Sequence, residues 1–237
     1  MRSLGVYAPA IVGALVLAGS PLSAQRKELT VLAGANYSGA TGGSLAKSQS
    51  RSGFLGGISL RLPRSSQVSF ETQFLVVQRR LSGQRAPSMA PLVEVGPISD
   101  APKLLYAEIP LMLRFQQGYS TERPMRPFLT LGPYIGVRLS CERDVVEGDS
   151  TMRHTDCSNN PNDILVGTQP LITASYQNVD VGGVAAFGVE IRRMSVAVRI
   201  ERSIVSLVES SAVATSPFDK SKLWSGSLSI EYLLRVL

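Results

Sequence analysis

KLLYAEIPLMLRFQQGYSTERPMRPFLTLGPYIGVRLSC, Lys103–Cys141, is the stretch on which the fold turns. It reads as two long β-strands joined by a polar turn. In the first, Leu105, Ala107, Ile109, Leu111, Leu113 and Phe115 share one face, opposite Tyr106, Glu108, Met112, Arg114 and Gln116. In the second, Leu129, Leu131, Ile135, Val137 and Leu139 alternate with Phe128, Thr130, Gly132, Tyr134, Gly136 and Arg138. Soluble strands average about five or six residues, and this alternation runs well past that length. One apolar face opposite a face holding Glu and Arg, over about 9–11 residues, is the pattern of a strand that crosses a membrane within a barrel.

Outward from this pair the same pattern recurs. Further strands are predicted at Glu28–Ser38, Arg51–Leu62, Gln67–Arg80, Asp180–Ile191, Met194–Ile204 and Leu223–Val236. The connections between strands sort into two kinds. Pro63–Ser66, Gln117–Arg126 and Arg192-Arg193 are short, whereas Gly39–Ser50, Leu81–Pro102, Glu142–Val179 and Val205–Lys222 are long. Up-and-down outer-membrane barrels alternate short periplasmic turns with longer extracellular loops. The expected fold is therefore all-β, an eight-stranded antiparallel up-and-down transmembrane β-barrel with both termini in the periplasm. Aromatic residues fall at two levels on the apolar face. Tyr37, Phe54 and Trp224 lie near the long-loop ends, and Phe70, Phe115 and Tyr232 near the short-turn ends, as in a pair of interfacial girdles. Pro110 and Pro133 sit within strands and cannot donate to a ladder, so a bulge or a missing hydrogen bond is expected at each.

The N-terminus has Arg2, an apolar run Ala8–Gly19, and small residues ending at Ala24. That run is too short to span a bilayer and has the layout of a secretory signal. Residues 1–24 are expected to be a signal peptide and 25–237 the outer-membrane barrel domain. No later segment is an apolar run of about 20 residues, so strands are the only route into the membrane. The net charge of +6 comes with Arg residues spread along strands and turns, which argues against nucleic acid as a partner.

At Tyr106–Phe115 (YAEIPLMLRF) and Arg126–Gly136 (RPFLTLGPYIG) the chain resembles the paired strands of PorT-like outer-membrane β-barrels, themselves similar to small OmpA/OmpX-type barrels. The resemblance implies residence in the bacterial cell outer membrane after signal cleavage and carries no catalytic motif.

Candidate sites follow from the polar face. Glu71, Glu108, Arg114, Arg138, Glu190, Arg199, Glu201 and Glu231 are expected to form a charge network inside the barrel, whose interior at eight strands is filled by side chains. Cys141 and Cys157 are the only cysteines and, in an exported protein, are expected to pair as a disulfide closing a loop of about 15 residues. The acidic loop residues Glu142, Asp144, Glu147, Asp149, Asp156 and Asp163 match no calcium-loop spacing and read as a solvated charged loop. His154 is the only histidine, and no catalytic, cofactor or metal set stands out.

The expected function is a non-enzymatic scaffold presenting extracellular loops. Its expected contacts are outer-membrane lipid and lipopolysaccharide, and a protein partner at the loops or periplasmic turns. Two alternatives stay open at this stage. One is a narrow porin or channel. The other is a soluble periplasmic lipocalin-like ligand-binding barrel, because alternation alone does not say which face is inside.

Overall fold

A computed structural model describes residues 27–42, 47–85, 89–90, 93–94, 98–117, 125–147, 151–156, 165–166, 169–170, 176–208 and 220–236. The predicted signal peptide, Cys157, Asp149 and Asp163 lie outside these residues.

Eight long strands run β1 Glu28–Thr41, β2 Lys47–Pro63, β3 Val68–Arg85, β4 Ile98–Gln116, β5 Met125–Glu147, β6 Val179–Ile191, β7 Met194–Ser203 and β8 Lys222–Val236. Each pairs antiparallel with the next, and β8 pairs back onto β1 over Glu28–Thr41, so the sheet closes. Closure leaves no edge among these strands, the condition for placing a sheet in hydrocarbon. A ninth, short strand, Thr151–Asp156, folds back on the end of β5 as a hairpin.

The direction of the side chains decides between the membrane barrel and the lipocalin-like one. Phe70, Phe115 and Ile230 are 39%, 44% and 52% exposed, while Glu71, Arg114 and Glu231 on the alternate positions are buried. The apolar rows point away from the axis and the charges are enclosed. The lipocalin-like alternative, which needs the apolar face around a cavity, is overturned. The outward face of every strand carries exposed Val, Ile, Leu, Met, Phe or Tyr, a continuous apolar belt that a bilayer covers.

Several strands outrun their predicted ends on the long-loop side. β3 continues to Arg85, β4 starts at Ile98 and β5 runs to Glu147, through positions expected as loop. Beyond the bilayer alternate residues no longer face lipid, so the hydrophobic signal stops while the backbone ladder continues.

The two strand prolines interrupt pairing without changing register. Between β3 and β4 the ladder skips Gln73 and Phe74, opposite Pro110 and Ile109, and between β4 and β5 it skips Leu111 and Met112, opposite Pro133 and Gly132. Each proline therefore costs a local pairing rather than a bulge. The irregularities in register lie elsewhere, at Leu29/Thr30, Arg51/Leu55 and Leu105/Tyr106.

Two glycines make room for the rings that line the interior. Gly182 is opposite Tyr134, and Gly188 is opposite Phe128. A Cβ on Gly182 would stand 2.6 Å from the Tyr134 ring, and one on Gly188 would stand 2.4 Å from the Phe128 ring. The rings lie over the bare backbone of β6, an arrangement used in sheets to cover glycine with an aromatic neighbour. Gly182→Val is expected to displace Tyr134, to press on the Arg202 carbonyl oxygen, 2.2 Å from the added Cβ, and to cost about 1–3 kcal/mol, as overpacking does. Urea unfolding of the barrel in lipid vesicles measures it, and an unchanged midpoint would show that Tyr134 has another place to go.

Candidate functional site

The interior carries the barrel's concentrated chemistry. Alternation sends Arg61 from β2, Glu71 and Arg79 from β3, Glu108 and Arg114 from β4, Asp180 and Glu190 from β6, Arg199 and Glu201 from β7, and Glu231 from β8 toward the axis, all buried. They divide into two layers.

The layer toward the short turns is centred on two guanidiniums. Arg61 Nη1 donates to Glu28 Oε2 at 2.7 Å and to Glu190 Oε2 at 3.0 Å. Arg114 Nη2 donates to Glu190 Oε2 at 2.8 Å and its Nη1 to Glu71 Oε2 at 3.3 Å. Arg126 closes on the other oxygen of Glu190. The Arg114 guanidinium lies 3.4 Å from the Phe128 ring centroid, held there because Gly188 leaves the ring its place. Glu231 accepts from Ser195 at 2.9 Å and stands 3.9 and 4.0 Å from Arg114 and Arg61.

The layer toward the long loops is centred on Arg79. Its Nη1 is 2.5 Å from Asp180 Oδ2, and its Nη2 is 2.7 Å from Glu108 Oε1 and 2.9 Å from Glu201 Oε2. Tyr134 donates its hydroxyl to Asp180 at 2.9 Å, and the Tyr106 and Tyr134 rings flank the guanidinium at 5.3 and 5.6 Å. Arg199 Nε donates to Glu201 Oε1 at 2.6 Å, and Ser225 donates to Glu201 Oε2 at 2.9 Å.

Gln73 ties the layers together. Its Nε2 donates to Glu71 Oε1 at 2.7 Å and its Oε1 accepts from Arg199 Nη1 at 2.6 Å. The gap beside it, lined by Glu71, Gln73, Arg199 and Glu231 among others, is about 10 Å³, the space of one water. Toward the long loops the interior turns apolar. Ala40, Leu81, Leu104, Tyr106, Tyr176, Leu207, Val208 and Leu223 pack into one cluster with Cys141 against it. Tyr176 and Val208, just outside β6 and β7, form a β-bridge that extends the pairing of those two neighbouring strands, and both side chains are buried in this cluster. At the short-turn end a hollow of about 220 Å³ opens between Glu28, Arg61, Gln67, Gln116 and Arg126, and stops at the Arg61 layer.

The residues predicted for the network do not all meet. Glu71, Glu108, Arg114, Glu190, Arg199, Glu201 and Glu231 line the lumen, but Arg138 does not join them. It sits beside the register shift of β4 and β5 at the long-loop rim, where it donates to the Tyr176 carbonyl at 2.7 Å and to Asn178 Oδ1 at 2.6 Å. Sequence reading missed Arg61, Arg79 and Asp180. Parity alone would have found Arg79, which follows Glu71 and Gln73 at even spacing along β3. Leu75, Val77 and Leu81 on the same inward face disguise it as apolar. Cys141 ends the described side chains of β5 save one, and its expected partner Cys157 lies outside them.

Residues 23–209 match the profile of the family described as outer membrane protein beta-barrel domain. No curated protein matches the sequence. Among solved structures, the chain is similar to Ail, the attachment invasion locus protein of Yersinia pestis, in complex with the heparin analogue sucrose octasulfate: 12% identity, 89% of this chain and 100% of that chain covered, TM-score 0.39. It is similar to the outer membrane protein OprG from Pseudomonas aeruginosa at 10% identity, with 89% and 97% covered and a TM-score of 0.43. It is similar to Neisserial surface protein A at 13% identity, with 87% and 97% covered and a TM-score of 0.37. These likenesses are weak, and the closed strand order and the family match stand without them. The chain belongs to the outer membrane protein beta-barrel domain family, and its place is the bacterial outer membrane.

Proposed function

We propose that this barrel is a non-conducting, non-enzymatic scaffold that holds its long loops on the outer surface of the cell and its short turns and termini in the periplasm. The observation that carries the reading is the filled lumen. Two guanidinium–carboxylate layers joined through Gln73 fill much of the interior, and a buried apolar cluster follows them toward the long loops. Arg79, whose three carboxylate neighbours come from β4, β6 and β7, supports the reading that the lumen is too crowded for a hydrated ion. Each buried carboxylate has at least one guanidinium within ion-pair distance, which supports a role in the fold, although Glu108 Oε2 and Asp180 Oδ1 have no hydrogen-bond partner among the described residues.

Planar-bilayer recording tests this directly. The purified barrel is expected to give no conductance above leakage at 1 M salt, an order-of-magnitude setting at which screening over about 3 Å removes access barriers from surface charge. Reproducible unit steps would establish the narrow-channel alternative instead.

Three further assignments belong to the same proposal. Residues 1–24 are removed as a signal peptide. Within its family the chain stands with the PorT-like barrels, on the strength of the β4–β5 pair. Cys141 and Cys157 form a disulfide that clamps the longest loop. Cys157→Ser is expected to cost at most about 3 kcal/mol, the loop-entropy value for about 15 residues. A mobility change of the unboiled protein on non-reducing gels checks the bridge, and identical mobility with and without reductant would remove it.

A further inference from the structure

At the short-turn end the β6–β7 hairpin closes on two arginines. Ile191 pairs with Met194, which leaves Arg192-Arg193 as the whole loop. Arg192 stands at φ 57°, in the left-handed region. Two-residue hairpin loops need a positive φ at their first position and favour Gly or Asn there, because other side chains are strained. Both arginines are exposed, and among the described residues neither guanidinium has an acidic partner. Glycine would make the same turn with less strain, so the fold gains nothing from Arg192. Strain observed at an exposed position of this kind points to a task outside the fold.

The surroundings of the two arginines define that task. With Thr30, Arg61, Glu190 and Ser195 they line a gap of about 10 Å³, the space of one water or one ligand oxygen. Thr30 is 4% exposed, and its Oγ1 has no hydrogen-bond partner among the described residues. Glu190, the acid in the lining, is already held by Arg61, Arg114 and Arg126. The gap thus offers one unsatisfied hydroxyl beside two unpaired cations, a setting for a carboxylate oxygen. Thr30, Arg61, Glu190 and Ser195 all lie on the buried, inward rows, so the gap is reached from the lumen mouth and not from the lipid side.

The charge around the mouth selects the kind of anion. Lys27, just before β1, and Arg64, in the β2–β3 turn, are exposed at the same end, and no acidic residue described there is exposed. The β2–β3 and β6–β7 turns stand on opposite sides of the ring of eight strands. A single small anion does not touch both, whereas a chain carrying several carboxylates does. Between them lies the hollow of about 220 Å³, which Arg61 also lines.

We infer that this mouth seats an acidic peptide segment of a periplasmic partner protein, with one carboxylate in the Thr30 gap beside Arg192 and Arg193 and others at Arg64 and Lys27. The inference deepens the scaffold reading and rests on its orientation, with the short turns in the periplasm.

The full mature chain, folded in detergent, is titrated by fluorescence anisotropy with a labelled glutamate-rich peptide and with its glutamine counterpart. Inorganic phosphate and phosphatidylglycerol serve as competitors. The glutamate peptide is expected to bind, more weakly as salt rises. Arg192→Gly/Arg193→Ser is expected to bind it about tenfold more weakly, the effect of two exposed ion pairs. Thr30→Val, which removes only the hydroxyl, is expected to weaken it as well. Arg192→Gly alone is expected to raise the urea midpoint in lipid vesicles, since Gly takes this φ without strain. Unchanged affinity in either binding variant would overturn the site, and so would a lowered midpoint for Arg192→Gly. Equal binding of the glutamine peptide, or displacement by phosphate or phosphatidylglycerol at matched charge, would overturn it too. Orientation is read apart, from Ser66→Cys and an impermeant thiol reagent. Labelling only after the outer membrane is opened supports it, and labelling of intact cells would sink the orientation and with it the periplasmic partner.

Discussion

Arg79→Met is expected to destabilise the folded barrel by about 3–5 kcal/mol, the usual consequence of removing one partner from a buried ionic cluster. The arginine is 1% exposed, and three carboxylates from three other strands converge on it within 2.5–2.9 Å. Without it, Glu108, Asp180 and Glu201 face one another in a site with little water. Tyr106 and Tyr134 lose the cation that both rings flank. Glu201 keeps Arg199 at 2.5 Å, so the two carboxylates left stranded are Glu108 and Asp180. The triple variant Arg79→Met/Glu108→Gln/Asp180→Asn is therefore expected to be more stable than the single one, because it leaves no uncompensated charge. Urea unfolding in lipid vesicles, followed by Trp224 fluorescence, compares the two. A single variant within about 1 kcal/mol of the parent would show that the layer does not hold the strands together.

Val198→Arg is the second large effect. Val198 lies midway along the outward face of β7, paired with Phe187 on one side and Leu228 on the other, and all three are exposed to the bilayer. A guanidinium at the bilayer midplane costs about 2–4 kcal/mol, falling to about 0–1 kcal/mol near an interface. Met194, on the same face beside the Arg192-Arg193 turn, supplies the comparison, since Met194→Arg is expected to be nearly neutral. The chain already follows this rule on the same strand, where Arg202 stands at the far end of the apolar row. Equal costs at the two positions would mean that the belt is not covered by a bilayer.

Strand number, pairing order and the split of each strand into an apolar and a polar row were legible in the sequence because hydrocarbon imposes strict alternation. Leu105 through Phe115 and Leu129 through Leu139 can be read residue by residue. Two things were not legible. Alternation is symmetric, so it could not say whether Phe70 or Glu71 faced the axis; the folded chain decides it, with Phe70 exposed and Glu71 enclosed. The inward face also has no single character. It holds Leu32, Leu55, Leu75 and Val77 as one apolar cluster beside the charges, so a lone Arg79 among leucines gave no contrast. Asp180 sits at the start of its strand, where the alternating pattern has barely begun, and Arg61 at the end of its own, next to Pro63.

The overrun of β5 changes what the molecule can touch. Leu139 is the last exposed apolar residue among its described side chains, yet the strand goes on to Glu147, bound on one side to β4 and on the other to Thr151–Asp156. That overrun lifts the tip about 20 Å clear of the hydrocarbon at the usual rise and tilt. If the long loops face outward as proposed, the part of the barrel that stands furthest from the membrane is a braced three-stranded fin.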